Sequence, residues 1–490
     1  MFLENVPASI VGTLFALCWF ISGIWAMRSF AKSGQLHLNP VEKSLCVLLS
    51  LPLGLVGAGA FLALSQKERI VELFHPDPTK QKADNMDLTL LDEYGRNIQQ
   101  KDKNQAGVLA VKKIVWDALS SNASDIFIDP KNESYLVRLR VDGGIRIHST
   151  LPEREALQVI SVFKIFSGMD IAERRRPQDG SFNALYKGSS VSFRAATVGV
   201  YGGEKITLRV IASENGDRKL NEVGLSQSQY ELISSALKLP SGMILVCGPT
   251  GSGKTSTLYA MLGSLDYNLK NVLSIEDPVE RVIPNISQIE VNSKAGITFG
   301  SVLRNSLRQN PDVICLGEIR DEETATIAAQ AAQTGHLILA TLHSNDNIGT
   351  LVRLTDLGVP LRNIAAALQT CISQRLIRKL CPHCKKPASL NESQQAYCRQ
   401  YNIPFDAIKA PQGCPRCGNT GYSGRIAVFE IMAMNDSLRQ LLEKPETTIT
   451  DVKAFVESSL GSSSLGSQIM GHVIKGETSW EEYERATINF

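Results

Sequence analysis

The distribution of apolar and polar positions divides this chain of 490 residues into stretches of different character. Two stretches near the start carry no charge at all, Asn5 to Met27 and Ser44 to Gln66, each 23 residues long. At about 1.5 Å per residue, either is long enough as a helix to cross a hydrocarbon layer of roughly 30 Å. They predict a hydrophobic membrane hairpin over residues 1–66, with a buried core hairpin as the alternative. A cleaved signal fits poorly, because no positive charge precedes the first stretch and a second follows it. Basic residues lie both in the connecting loop (Arg28, Lys32, Lys43) and after the second stretch (Lys67, Arg69), so charge leaves the path of the hairpin open. Residues 67–105 are polar and predict a linker with little structure of its own.

From residue 106 the periodicity changes. Val108 to Leu119 has helical apolar spacing, Asp125 to Asp129 and Val137 to Val141 alternate as strands, and Asp142-Gly143-Gly144 turns the second of these. A helix over Leu157 to Phe166 and strands around Ser192–Arg194 and Ile206–Val210 complete a small α/β domain over 106–212. Four short, continuous apolar runs follow: Met243–Cys247, Val272–Ile275, Val313–Leu316 and Leu337–Thr341. Such runs are the mark of parallel strands buried on both faces, and they predict an open α/β sheet over about 219–380. Helical spacing around Ser437–Glu443 and Val452–Leu460 predicts a helical region over 418–490.

Composition narrows the chemistry. A net charge of +2 carries no general basic bias toward nucleic acid. Ten cysteines are too dilute for a disulfide framework. Four of them form two CxxC pairs, Cys381/Cys384 and Cys414/Cys417, which supply four thiolates for a tetrahedral structural Zn²⁺. His383 lies inside the first pair as a bystander, and Cys398 between the pairs reads as structural.

The most specific motif begins where the first apolar run ends. Gly248, Pro249, Thr250, Gly251, Ser252, Gly253, Lys254 and Thr255 spell G-x-x-x-x-G-K-[ST] between a strand and a helix. Its glycines let backbone N–H groups converge on phosphate oxygens at a helix N-terminus. These residues and Ser256 predict an ATP site, in which Lys254 reaches the β- and γ-phosphates and Thr255 holds Mg²⁺. Glu276 ends the second run, where it is placed to orient a water. Glu318 follows the third run, the position expected of a carboxylate serving Mg²⁺ and water. His336 and His343 bracket the fourth run and either sense a γ-phosphate or cap the strand. Arg138, Arg140, Arg194 and Arg209 are either solvated strand residues or cations for a triphosphate.

In order and spacing, the segments GPTGSGKT, IEDPVE, LRNSLRQNPDVICLGEIRDEETA and TGHLILATLHSND resemble the secretion ATPases of type II secretion and type IV pilus assembly. So do SDIFIDP, RLRVDGG, RRRPQDG and GGEKITLR upstream, and SQRLIRKLCPHC and GYSGRIAVFEI downstream. The resemblance spans roughly residues 106–435. It implies a RecA-like P-loop NTPase core (219–380), a PAS-like α/β domain before it (106–212) and a zinc insert (381–417). It assigns Glu276 to the aspartate box, Glu318 to Walker B, His336 and His343 to the histidine box, and Arg194 and Arg209 to arginine fingers. A homo-hexamer is implied, working with an inner-membrane platform protein and pilins or pseudopilins at the cytoplasmic face of the bacterial inner membrane. The cysteine insert resembles that of assembly motors rather than retraction motors. Asn310 and Phe127 stand where the family usually has Asp and His, and a hydrophobic hairpin stands where a soluble recruiting domain is common. A nucleic-acid motor is the alternative, supported only thinly by Arg174–Arg176 and by Lys379, Lys385 and Lys386; no nucleic-acid partner is expected.

Overall fold

The computed structural model describes residues 86–92, 94–97, 105–212, 219–292, 295–460 and 464–488. The predicted membrane hairpin and most of the linker lie outside these. Among the described residues, no helix is long and apolar enough to cross a membrane.

The first layer is a seven-stranded antiparallel sheet in the order β1-β5-β6-β7-β2-β3-β4. Its strands are β1 (Leu88–Leu91), β2 (Ala123–Lys131), β3 (Ser134–Val141), β4 (Gly144–Pro152), β5 (Gln178–Tyr186), β6 (Ser189–Val200) and β7 (Gly203–Ala212). Helices α1 (Gln105–Ser120) and α2 (Glu153–Phe166) contribute Val111, Val115, Val159 and Phe163 to its core, all fully buried. Phe182 and Phe193 stack across β5 and β6 with ring centroids 4.6 Å apart. The alternating residues of β2, β3 and β7 carry charge, and pair it laterally. Arg138 bonds Asp129 at 2.7 Å, and Asp125 receives both Arg140 (3.2 Å) and Arg209 (3.3 Å). Phe127 lies beneath Arg138 and Arg140.

β1 corrects one expectation. Within the expected linker, Leu88 and Leu90 are buried and the strand pairs antiparallel with β5. Two alternating leucines in four residues are too short a run for periodicity to separate from their polar surroundings.

The second layer is the predicted open sheet, ordered β10-β9-β11-β12-β8-β13-β16. It contains β8 (Gly242–Cys247), β9 (Val272–Glu276), β10 (Ser287–Glu290), β11 (Val313–Leu316), β12 (Leu337–Leu342) and β13 (Leu368–Leu380), all parallel. Helices α3 (Gln227–Ala236), α4 (Lys254–Leu262), α5 (Phe299–Ser306), α6 (Glu322–Gln333), α7 (Asn347–Asp356) and α8 (Leu361–Ala367) connect the strands and cover both faces. Asp321 caps α6 by accepting from Thr324 N–H at 2.8 Å, so α6 starts just after the Glu318 turn.

The C-terminal region is only partly helical. After β14 (Lys386–Pro387), α9 (Glu392–Gln400) and β15 (Lys409–Ala410), the chain returns as β16 (Tyr422–Ala433), antiparallel to β13. The cysteine insert is thus the long loop of a β-hairpin that extends the core sheet, and β16 corrects the all-helical expectation for 418–490. α10 (Asp436–Glu443) and α11 (Ile449–Leu460) fall where expected. α12 (Leu465–Ile474) and α13 (Trp480–Thr487) follow and pack against β13, β16 and the insert, around Trp480, Met470 and the buried Cys398.

Candidate active site and metal centre

Because β8, β9, β11 and β12 are parallel, their C-terminal ends meet along one edge of the sheet, where ligands collect in open α/β folds. From β8 the chain turns into the phosphate loop. Gly248, Gly251 and Gly253 hold φ values of 151°, 79° and 92°, and Gly253 starts α4 in the left-handed region. A Cβ on Gly248 would sit 2.5 Å from the Gln374 carbonyl oxygen and 2.6 Å from Ser252 Oγ. Lys254 is buried and donates to the Gly248 and Pro249 carbonyls at 2.8 and 3.1 Å. Burial pulls its pKa below the usual lysine value. Both of those partners are neutral, and the buried Ser252 hydroxyl has no partner. A desolvated cation beside an orphaned hydroxyl at a helix N-terminus fits a phosphate chain. Thr255, one residue further on, is half-buried in the first turn of α4. Pro249, Thr250 and Ser256 are exposed around the loop.

β12 lies between β8 and β11, and the register puts Leu342 beside Cys247 and Leu316 beside Ala340. Glu318 and His343 therefore extend from the same edge, and His343 Nε2 stands 3.6 Å from Glu318 Oε2. Arg320 bonds the other Glu318 oxygen and lies 3.6 Å from Asp277. Burial and then the positive charge of Lys254 push the His343 pKa below the ordinary histidine value, against the opposing pull of Glu318. Glu318 faces this ring, Lys254 and the loop.

Glu276 sits differently from the expectation. It is buried, and its carboxylate accepts from Ser274 Oγ (2.6 Å), Gln288 Nε2 (3.0 Å) and the Tyr259 hydroxyl. A carboxylate with both oxygens engaged holds the β9 end, α4 and β10 together, and of the two glutamates Glu318 is the less buried. His336 is not brought to the site. It precedes β12, and its carbonyl accepts from Gly242 N–H at the opposite sheet edge. A six-residue strand, about 20 Å, separates it from His343. Its ring nitrogen Nδ1 contacts the Ala331 carbonyl at 3.1 Å. Histidines flanking one strand necessarily lie at its two ends.

Arg194 and Arg209 are register partners on β6 and β7. Both lie near enough to Glu280, just past the β9 end, to oppose the upward push of burial and Glu276 on its pKa. Sequence reasoning missed Gln374, Arg375 and Tyr259. Gln374 accepts from Thr257 Oγ1 at 2.8 Å inside the core, and Arg375 is buried, donating to the Gln374 and Asn345 carbonyls. The available signal was Ser373-Gln374-Arg375, three consecutive polar residues inside a strand buried on both faces.

The four cysteines converge as predicted. Their sulfurs all lie within 4.8 Å of one another, at 4.0 Å (Cys381–Cys414), 3.9 Å (Cys384–Cys417) and 3.7 Å (Cys414–Cys417). Tetrahedral thiolates at Zn–S of about 2.3 Å stand roughly 3.8 Å apart, so this donor set fits zinc. Cys414 and Gly421 N–H groups donate to Cys417 Sγ at 3.3 and 3.2 Å, which favours its thiolate. His383 stays outside the cluster, beside Arg416.

A phosphate loop flanked by a strand-end glutamate on a RecA-like sheet defines a P-loop NTPase. The chain belongs to the type II/IV secretion system protein family, whose signature it matches over residues 99–485. It is 42% identical over 345 residues to the protein transport protein HofB homolog of Escherichia coli K12, covering 70% of this chain and 74% of that one. The putative type II secretion system protein E of the same organism is 35% identical over 442 residues, 86% of this chain and 88% of the relative. The type IV pilus assembly ATPase PilB of Thermus thermophilus is 39% identical over 77% of this chain, but the match spans only 42% of that longer relative. Among solved structures, the pilus retraction motor PilT with bound ADP aligns with a TM-score of 0.52 at 24% identity, over 76% of this chain and 96% of PilT. The ATPase DotB of Legionella pneumophila aligns at 0.57 and 22%, over 78% and 96%. These two likenesses carry the fold.

Proposed function

We propose that this chain hydrolyses ATP, as a homo-hexamer, to drive assembly of a type IV pilus or a type II secretion pseudopilus from the cytoplasmic face of a bacterial inner membrane. The observation that carries the reading is the shared sheet edge, where the phosphate loop, Glu318 and His343 meet while Arg194 and Arg209 approach from a separate sheet. On this reading, loop N–H groups and Lys254 would hold the triphosphate, and Thr255 and Glu318 would hold Mg²⁺, which would supply charge neutralisation for phosphoryl transfer. Glu318 orients the water, Glu276 fixes the strand ends, and the arginines offset transition-state charge as the two sheets close. The family and the named relatives support secretion or pilus assembly as the work done. The N-terminal hairpin attaches the motor to the membrane, where it acts on a platform protein and on pilins or pseudopilins.

Deletion of the gene in its host, scored in parallel for surface pili and for secreted proteins and complemented with Glu318→Gln, tests this. Loss of either product, not restored by the variant, is the expected result. Normal pili and normal secretion in the deletion strain would overturn it.

A further inference from the structure

The cysteine centre and the arginine-bearing sheet are far apart in sequence and have no chemistry in common, yet they touch. The contact is made by the β3–β4 turn. Asp142 and Gly143 both have positive φ, 51° and 80°, as a tight two-residue hairpin turn requires. The Asp142 carboxylate accepts from Gly424 N–H at 2.9 Å and faces Arg425 Nε at 3.6 Å. Its side chain is only 16% exposed. Arg146, on β4, donates to Thr420 Oγ1 at 3.4 Å, and one of its guanidinium nitrogens lies 2.7 Å from where a Gly418 Cβ would be. Gly418 and Thr420 come just after Cys417, and Gly424 and Arg425 lie a few residues on, at the start of β16, so the four-sulfur cluster holds the start of the segment on which the turn rests.

From that turn, a continuous polar row leads to the arginines. Arg140 donates to the Gly143 carbonyl at 3.3 Å, which ties the turn to β3. Arg140 pairs with Asp125, and Asp125 with Arg209, at 3.2 and 3.3 Å. Arg209 is the register partner of Arg194, and both act on Glu280. Because β6, β7, β2, β3 and β4 are consecutive neighbours in one hydrogen-bonded sheet, a hold on the β3–β4 turn sets the pose of the β6–β7 end.

We propose that Asp142 is a positioning residue: it latches the N-terminal sheet to the segment after the second cysteine pair, and so aims Arg194 and Arg209 at the nucleotide site. The inference rests on the ATPase reading for its consequence, but not for the contact itself. It also ties the N-terminal sheet to the core sheet, since Gly424 and Arg425 lie on β16 where it pairs with β13.

The test uses the full chain with Asp142→Gly and Asp142→Asn. Glycine accepts the positive φ without strain, so Asp142→Gly removes the carboxylate without breaking the turn. Asparagine also tolerates that conformation and keeps an acceptor for Gly424, but loses the charge facing Arg425. Hydrogen–deuterium exchange of peptides covering 418–425 reads the latch. Steady-state phosphate release reads its effect. For Asp142→Gly we expect exchange there to rise about tenfold, the loss of one charge-assisted hydrogen bond, with kcat lowered about tenfold and KM for ATP unchanged. Asp142→Asn should fall between this variant and wild type. In an Arg194→Ala/Arg209→Ala background, Asp142→Gly should cost nothing further.

Unchanged exchange in Asp142→Gly would refute the latch. Faster exchange with unaltered kcat, or a full additional loss in the arginine-free background, would refute the positioning role. A wild-type chain without any turnover would instead refute the ATPase reading, while the exchange measurement still judges the contact.

Discussion

Replacing Glu318 by glutamine separates nucleotide binding from turnover. The substitution keeps the side chain's volume and one oxygen for Arg320, so the turn between β11 and α6 persists. What disappears is the negative charge that faces His343 at 3.6 Å and counters the burial of Lys254. Binding depends on loop N–H groups and on Lys254, which donates to Gly248 and Pro249 in either variant, so the dissociation constant for ATP should change by no more than about threefold, under about 1 kcal/mol. Turnover should suffer far more, because a carboxylate that positions water and metal contributes about 10²–10⁴-fold, or roughly 3–5 kcal/mol of barrier. Titration with a fluorescent ATP analogue and steady-state phosphate release measure the two quantities on the same preparation. Turnover within threefold of wild type would refute the assignment of Glu318. So would a loss of affinity as large as the loss of rate, because the residue would then be holding the loop rather than serving the reaction.

The remaining predictions concern the frame. Glu482 is fully buried and accepts from the Arg378 backbone and guanidinium (2.8 and 2.9 Å) and from Arg485 (2.9 Å). Glu482→Ala removes the acceptor shared by Arg378 and Arg485 in the joint between α13 and β13; because both guanidinium groups keep access to water, it should cost about 1–3 kcal/mol in a denaturation experiment. Burial opposes ionisation of Glu482, but Arg485 and Arg378 overcome it and hold its pKa below the ordinary 4.5. The folded state therefore binds the proton less readily than the unfolded chain, and this contribution is intact above pH 4.5 and fades as pH falls through the lowered value. A wild-type stability that stays flat from pH 5 to below pH 3 would contradict it. Elemental analysis should find about one zinc per chain, and Cys414→Ser should lose it together with protection of the 418–425 amides; a metal-free chain with full protection there would refute the zinc reading.

Much of the site was legible before any tertiary structure, and the reasons are local. The phosphate loop needs its glycines within eight consecutive residues, and the strands that deliver Glu276 and Glu318 are buried on both faces, so their apolar runs stand out. The cysteine pairs announce themselves by spacing. His336 and His343 show the limit of such reading. Sequence places both beside one strand, but the direction of that strand sends only His343 to the working edge. Glu276 shows another limit, because its occupied oxygens depend on Tyr259 and Gln288, from a helix and a strand that no local pattern pairs with it. Leu88–Leu91 and β16 escaped for a related reason: an edge strand and the return arm of a long hairpin acquire their identity from partners distant in the chain.

The sequence alone therefore determined the chemical inventory of this protein: a phosphate loop, strand-end carboxylates, four thiolates and a set of arginines whose purpose stayed open. Backbone conformation and burial follow from near neighbours, which is why that inventory can be read residue by residue. The tertiary structure decided what each group lies against. The register of one sheet paired Arg138, Arg140 and Arg209 with aspartates, and brought Arg194 and Arg209 near Glu280. The packing of that sheet on the segment after the cysteine insert, through Asp142 in the β3–β4 turn and Arg146 on β4, joins two regions some 280 residues apart (Asp142 and Gly424 differ by 282 positions). Contacts of that range carry no sequence periodicity, and only the folded chain displays them.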